Sequence, residues 1–343
     1  MRTSLPRTSL ARLGTTGASA LALATCATLL TACGPDAAAG SSGSTLTVAV
    51  LDDPTRHMAF WALEHGKVDL GGLKVKISYV PAQTAQQAYQ SRQYSIVEAS
   101  PVAVAAAATK GLKTKILTAG VQDRDATVVD VPSNSKVTSP SGLKGRTVAI
   151  SAASGSSTIQ LRYVLDKGYG IQAKEQNGQV KLQVNPPDAT AQLMKNGSLD
   201  AAVNLNLPRY VAEQRDKQRP VLHVSKKATE LTGAAPVQTV LVTYPNLEKS
   251  RADDLRKLVK AVRESTDYAR GHKEQVAKAV AGNSTSNAAY LAWWWTTSDL
   301  RYGNLTATDQ AGIKSFWTMA HAVDQIGSVP DLTSFRPTAA PNS

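Results

Sequence analysis

Ser154-Gly155-Ser156-Ser157 is the stretch of this chain best suited to holding a ligand. It follows the β-rich run Thr147-Val148-Ala149-Ile150-Ser151 and opens a helical pattern from Thr158 to Gly168. A helix starting there presents free backbone N–H groups and the positive end of its dipole, and the serine hydroxyls add donors, which suits an anion. Ordinary Ser/Thr capping of a helix leaves the same pattern. Ser100, just before Pro101, stands in the same relation to an earlier strand, with simple strand-to-helix capping as its plain alternative. Asp52-Asp53-Pro54-Thr55 follows the first strand. There Asp53 would repel a bare anion or receive an amine, and Thr55 adds a hydroxyl. His57 close by is a lone histidine, more often a surface residue than a ligand contact. Asn204 and Asn206 follow a further strand and offer both donors and acceptors. These are groups for binding rather than for bond-making. The histidines, His57, His65, His223, His272 and His321, show no H-x-x-x-H spacing, and Ser154-Gly155-Ser156 lacks the leading glycine of a nucleophile elbow. Both cysteines, Cys26 and Cys33, lie in the N-terminal segment, so the body of the chain holds no thiol nucleophile, thiolate metal site or disulfide. The expectation is a protein without catalytic residues, metal or cofactor.

The elements that must position these residues alternate between strand and helix. Leu46 to Leu51 reads as a first strand, and Met58 to His65 as a helix closed by Gly66. Leu73 to Val80 alternates apolar and polar, the signature of a half-buried strand. A polar helix over Gln83 to Arg92, a strand at Ser95 to Ala99, an Ala/Val-rich helix over Pro101 to Thr109 and a strand at Lys115 to Ala119 follow. A second α/β unit starts near Ser141, with strands at 147–151, 180–184 and 200–204. Val237 to Thr243 reads as a strand returning to the first unit, and Ser250 as the cap of a long helix with core stripe Leu255, Leu258, Val259 and Val262. The last third is helical and carries Trp293-Trp294-Trp295, which cannot all share one helix face. One of them can line a cleft; burial in the core is the alternative. The fold class is α/β with parallel sheets. About 290 residues past position 44 suit two lobes better than one core. Residues 45–122 form the first part of lobe I, 123–232 lobe II, 233–336 the return to lobe I with the C-terminal helices, and 337–343 a loose tail.

The N-terminus is an export signal. Arg2, Arg7 and Arg12 precede an Ala/Leu/Thr-rich run from Leu13 to Leu30, and Leu30-Thr31-Ala32-Cys33 forms a lipobox. Residues 1–32 are therefore read as a signal peptide, with Cys33 acylated on its thiol and 33–44 a small, polar tether. This segment resembles that of bacterial lipoproteins, with a plain secretory signal cleaved nearby as the alternative. Such a protein is extracytoplasmic and held at the cell membrane by its lipid. The formal net charge is +12, and loss of the three signal arginines leaves +9. Lys74, Lys76, Lys113, Lys115 and Lys144 are scattered rather than clustered, which fits a basic solvated surface and not nucleic-acid binding.

Three phrases carry a family resemblance. Ala62-Leu63-Glu64-His65-Gly66-Lys67-Val68 with Gly72-Leu73-Lys74-Val75 resembles the opening of ABC-transporter solute-binding proteins of the nitrate/sulfonate/taurine group. Gly142-Leu143-Lys144-Gly145-Arg146-Thr147-Val148-Ala149 is similar to a second phrase of that group, with Ser141 where Asp is usual. Leu193-Met194-Lys195-Asn196-Gly197-Ser198-Leu199-Asp200-Ala201-Ala202-Val203 is similar to a third. Together they cover about residues 45 to 245 and occur in the family's order. The resemblance implies a periplasmic-binding-protein fold, two α/β lobes with a hinge and a cleft. It implies capture of a small organic anion, sulfonate- or nitrate-like, and delivery to a permease and its ATPase. It also implies that the 154–157 loop faces the cleft. A thiamine-type pyrimidine precursor and a lipid-anchored sensor or adaptor role stay open as alternatives, the latter because Asn204 and Asn206 replace the aromatic and acidic residues usual in relatives. Thiamine-pyrimidine synthases of the same fold carry a cysteine-rich run that this chain lacks.

One lipid tether makes a direct prediction. Cys33→Ala should move the protein from the membrane to the soluble fraction, as read by fractionation and immunoblot. Membrane retention of that variant would assign the attachment to another contact, such as the basic surface.

Overall fold

The computed structural model describes residues 45–282 and 288–337; the signal peptide, Cys33, the tether to position 44 and tail residues 338–343 lie outside the described residues. The first sheet is built on β1 (Leu46–Leu51), which pairs in parallel with β2 (Val75–Val80) and β3 (Ile96–Ala99). Beyond β3 lie β12 (Val240–Thr243), antiparallel to both its neighbours, and β4 (Lys115–Ala119), giving the order β2-β1-β3-β12-β4. Successive strand residues point to opposite faces, and the core divides accordingly. Leu46, Val48, Val50, Ile96 and Leu241 join one cluster with α1 (Pro54–Glu64), α9 (Ala252–Gly271), α10 (Lys273–Ala281) and α11 (Ala288–Thr297). Ala49, Val97, Val240 and Val242 join another with α2 (Ala82–Ser91), α3 (Pro101–Thr109) and α12 (Ala307–Ala322).

The second sheet has the order β11-β6-β10-β7-β9-β8. Its parallel part comprises β7 (Thr147–Ile150), β8 (Ala173–Lys174), β9 (Val180–Val184) and β10 (Ala201–Asn204). Two further strands, β6 (Val128–Val131) and β11 (Arg219–His223), run antiparallel to their neighbours. Its helices are α4 (Ser156–Tyr169), α5 (Pro187–Lys195), α6 (Asn206–Gln214) and α7 (Val224–Thr232). The second sheet thus begins at β6, ahead of the start near Ser141 expected from sequence. Val128, Val129, Asp130 and Val131 are all buried, so β6 shows none of the apolar–polar alternation that marks a one-sided strand. Pro220 hid β11, which is an edge strand, where proline's missing donor is tolerated. The return strand is also shorter than expected: Val237 makes only a bridge to Gln122. Ser250 does not cap the long helix. It ends α8 (Pro245–Ser250), and Arg251 takes the N-cap position of α9 with its guanidinium on Asp254 at 2.8 Å.

Two stretches join the lobes. The outward one follows β5 (Val121–Asp123), which pairs with β13 (Ser298–Leu300), and the return one precedes β12. α12 lies between the lobes, against α3 on one side and α4 and α7 on the other. Its Ile313, Phe316 and Trp317 make one core of the two sheets, and the Trp317 indole N–H donates to the Pro101 carbonyl at 2.7 Å.

Lobe II buries an acid without a cation on it. Asp130 of β6 is fully buried; its Oδ2 accepts from Asn204 Nδ2 at 2.8 Å, and its Oδ1 has no partner among the described residues. Burial pushes the carboxyl up from 3.8 to about 7, helped by Glu213 and opposed by the Asn204 hydrogen bond, Arg209 and His223. The folded chain therefore holds a proton here between about pH 4 and pH 7 that the unfolded chain releases. The resulting stability is complete below that window and is lost as pH rises through it. Asp130→Asn should remove this slope. Wild-type stability should fall relative to the variant by a few kcal/mol between about pH 4 and 8, measured by urea unfolding; parallel curves would show that Asp130 does not titrate there.

Candidate functional site

In lobe I the ends of β1 and β3 carry a buried charged cluster. Asp53 is the N-cap of α1 and accepts from the Thr55 N–H at 2.8 Å; the Thr55 hydroxyl also donates to it. Arg56 in the next position is 5% exposed. Its Nε donates to Glu98 Oε1 at 3.1 Å and its Nη1 to the Thr55 hydroxyl at 3.0 Å. Glu98 accepts further from Tyr302 Oη at 2.9 Å and from the Leu51 N–H at 3.0 Å. Burial works against the charge of Arg56, but Glu98 and then Asp53 outweigh it, so the guanidinium sits above its ordinary value and stays charged. Burial, followed by the Glu98 charge, raises the Tyr302 phenol well above its ordinary value. Ser100, at the end of β3, caps α3 by accepting from the Val102 N–H at 3.2 Å. A buried ion pair costs desolvation that only good geometry offsets, and here the carboxylate has donors on both oxygens.

In lobe II α4 follows β7 and α6 follows β10, and their starts differ. α4 starts at Gly155 with no capping side chain. The Gly155 N–H goes to the Ala152 carbonyl at 3.1 Å and the Thr158 hydroxyl to the same oxygen at 2.7 Å. The N–H groups of Ser156, Ser157 and Thr158 have no acceptor among the described residues. Ser157 is buried and, with Ser151, Asn185, Thr190 and Asn204, lines a pocket of about 110 Å³ that carries no charged side chain among the described residues. Ser154 is exposed, on the loop ahead of it. α6 starts at Asn206, whose φ of 54° is the left-handed conformation that Asn tolerates. At its start Asn206 Oδ1 accepts from Trp294 Nε1 at 3.1 Å. Tyr290 belongs to lobe I. Burial and then the Asp53 charge raise its phenol, with Arg56 and the Leu207 amide opposing.

The residues singled out in the sequence thus fall into three places. Gly155, Ser156, Ser157 and Asn204 gather at the open end of α4, with Ser154 on the loop outside. Asp53, Thr55 and Ser100 lie at the strand ends of lobe I, where Thr55 is fully buried between Asp53 and Arg56. Asn206 meets Trp294 across the gap between lobes. Of the tryptophans, Trp294 and Trp295 are buried and Trp293 is partly exposed. Sequence reasoning missed Arg56, Glu98, Tyr290, Tyr302 and Asp130. For Glu98 and Asp130 a signal was present: an acid inside an apolar strand must find partners or stay protonated.

Comparison with known proteins agrees with this architecture. The family described as NMT1/THI5 like matches residues 58–276. No curated protein matches the chain. Among solved structures, the periplasmic aliphatic sulphonate binding protein SsuA from Escherichia coli superposes with a TM-score of 0.69 at 14% identity, over 87% of this chain and 98% of that one. A Candida albicans protein with the generic periplasmic binding protein fold gives 0.65 at 16% identity, over 88% and 98%. The alkanesulfonate-binding protein SsuA from Xanthomonas axonopodis pv. citri, solved bound to MOPS, gives 0.62 at 12% identity, over 84% and 95%. At these identities the likeness establishes the periplasmic-binding-protein fold, and the match over residues 58–276 establishes the kinship: this chain is a member of the NMT1/THI5-like family.

Proposed function

We propose that this protein is the extracytoplasmic solute-binding component of an ABC importer. Anchored by a lipid on Cys33, it takes a small organic anion, sulfonate- or nitrate-like, between its lobes and passes it to a membrane permease and ATPase. The observation that carries this reading is the open N-terminus of α4, where three amides and the Ser156 and Ser157 hydroxyls have no hydrogen-bond partner among the described residues, beside a pocket. Unsatisfied N–H groups and the helix dipole favour negative charge there. The sulfonate-binding names of two structural relatives support the same solute class. In this reading Gly155, Ser156 and Ser157 hold the acidic group, Ser154 stands at its entrance, and Asn204 contacts the rest of the solute. Ser100 and Asp53 face it from lobe I, while Thr55 and Asn206 hold the walls. Binding and release involve no covalent step.

The pocket's lining, uncharged among the described residues, favours a second reading, a neutral N-heterocycle such as a thiamine-type pyrimidine. A thermal-shift panel of sulfonates, nitrate, carboxylates and pyrimidines separates the two, since a ligand at 100 times its Kd adds about 2.7 kcal/mol.

Gly155→Asp sharpens the test. The position has φ −67°, so it tolerates a side chain, although a Cβ would lie 3.2 Å from the Ala152 carbonyl oxygen. Aspartate is a favoured N-cap and would occupy the α4 amides itself. The variant should fold with undiminished helix content and lose anion binding by calorimetry. Ser156→Ala with Ser157→Ala should weaken binding about tenfold or more, from the loss of charge-assisted hydrogen bonds. Unchanged affinity in Gly155→Asp would exclude an anion at α4 and leave Asn204 and the neutral heterocycle as the better reading.

A further inference from the structure

The contact between α6 and α11 joins the two lobes. α11 is rooted in lobe I, where Tyr290, Leu291 and Trp294 are fully or almost fully buried. α6 leads out of β10 in lobe II, yet its Leu207 and Tyr210 pack against that same lobe I cluster. The Tyr210 ring lies 5.8 Å from Tyr290 and 5.4 Å from Trp293, both tilted, a favoured aromatic geometry. The Arg209 guanidinium stands 5.5 Å over the Trp293 ring. A hydrogen bond from Trp294 Nε1 to Asn206 Oδ1 at 3.1 Å completes the contact.

Arg209 connects this contact to the outward crossing. It is 5% exposed, donates through Nη1 to the Asp125 carbonyl, and pairs through Nε with Glu213 at 2.6 Å. One residue earlier, Arg124 Nη2 donates to the carbonyls of Trp295 at 2.7 Å and Ser298 at 3.0 Å, at the end of α11. The ring of contacts α6, α11, Arg124, Asp125 and Arg209 is closed. Every partner in it is a group of this chain, so its strength owes nothing to a solute.

We propose that α6 and α11 form a clasp that draws the lobes together with the protein's own side chains, and that Arg209 is the residue that positions it. The clasp also engages the start of α6 through the Asn206 side-chain oxygen. The first amides of α4 have no acceptor among the described residues, whereas Asn206 at the start of α6 serves lobe closure. The clasp does not depend on which solute binds.

Inter-lobe distance tests this without any ligand. Cysteine occurs only at positions 26 and 33, so the full chain with both replaced by alanine accepts spin labels at Lys76→Cys on β2 and Lys181→Cys on β9, both exposed. Pulsed electron resonance should give a single short-distance population. Trp293→Ala, at a partly exposed position, and Arg209→Met, which keeps the aliphatic stem, should each shift the mean to longer distance with loss of the short population, while circular dichroism stays unchanged. The proposal fails if both variants, folded, keep the starting distribution, or if the parent chain already shows a broad one. Tyr210→Phe, which keeps the ring contacts, should behave like the parent.

Discussion

The carboxylate of Asp123 is the constraint on which the arrangement of the lobes rests. It is fully buried, on the stretch that carries the chain from the first lobe to the second. Its Oδ1 accepts from the Ala126 N–H at 2.7 Å. Its Oδ2 accepts from the Thr127 hydroxyl at 2.7 Å, Gln160 at 3.1 Å and Gln238 at 2.7 Å. These donors come from the outward crossing, from α4 and from the return crossing. An ionised carboxylate taken out of water costs several kcal/mol, and donors from three segments offset that cost only while all three are in register. Hydrogen bonds to a charged group contribute about 1.5–3 kcal/mol each. The hinge is thereby tied to α4 itself, since Gln160 lies one turn beyond Ser156 and Ser157.

Around that point the lobes are asymmetric. Asp125, two positions on, accepts from His223 at 2.9 Å and Lys226 at 3.0 Å; burial works against its charge, and these partners hold it below its ordinary value. Arg124 reaches back to lobe I in the opposite sense. Lobe I presents a cluster in which Arg56 stands against two acids, Glu98 and Asp53. Lobe II presents, among the described residues, an uncharged pocket and a helix end with unpartnered donors. In the proposed function recognition falls on the backbone amides and hydroxyls at the start of α4 rather than on a mobile cation.

Much of this frame was legible in the residues. Leu46–Leu51 and the alternation from Leu73 to Val80 predict strands because one pattern, burial on defined faces, controls both sequence and structure. The loop at Gly155 was legible because a helix must start where strand residues give way to Ser and Gly. What stayed hidden depends on partners far apart in the chain. Asn206 meets Trp294 across 88 positions, and nothing local at either residue announces the other. β6 was hidden by its burial on both faces, and Ser250 was misread because α8 intervenes before the long helix. Glu98 and Asp130 could have been read further, as acids set in apolar strands. Their fates differ for a reason the sequence does not state: Arg56 reaches Glu98, whereas Asp130 meets only the Asn204 amide.

The most direct measurement is mass spectrometry of the intact protein under non-denaturing conditions, after gentle purification from its own cell envelope. A solute captured between the lobes predicts one small adduct of defined mass that leaves on denaturation and is recovered in the filtrate for identification. A protein that carries no adduct, and gains none when incubated with a concentrated extract of its growth medium, would contradict the account of this chain as a solute-binding protein.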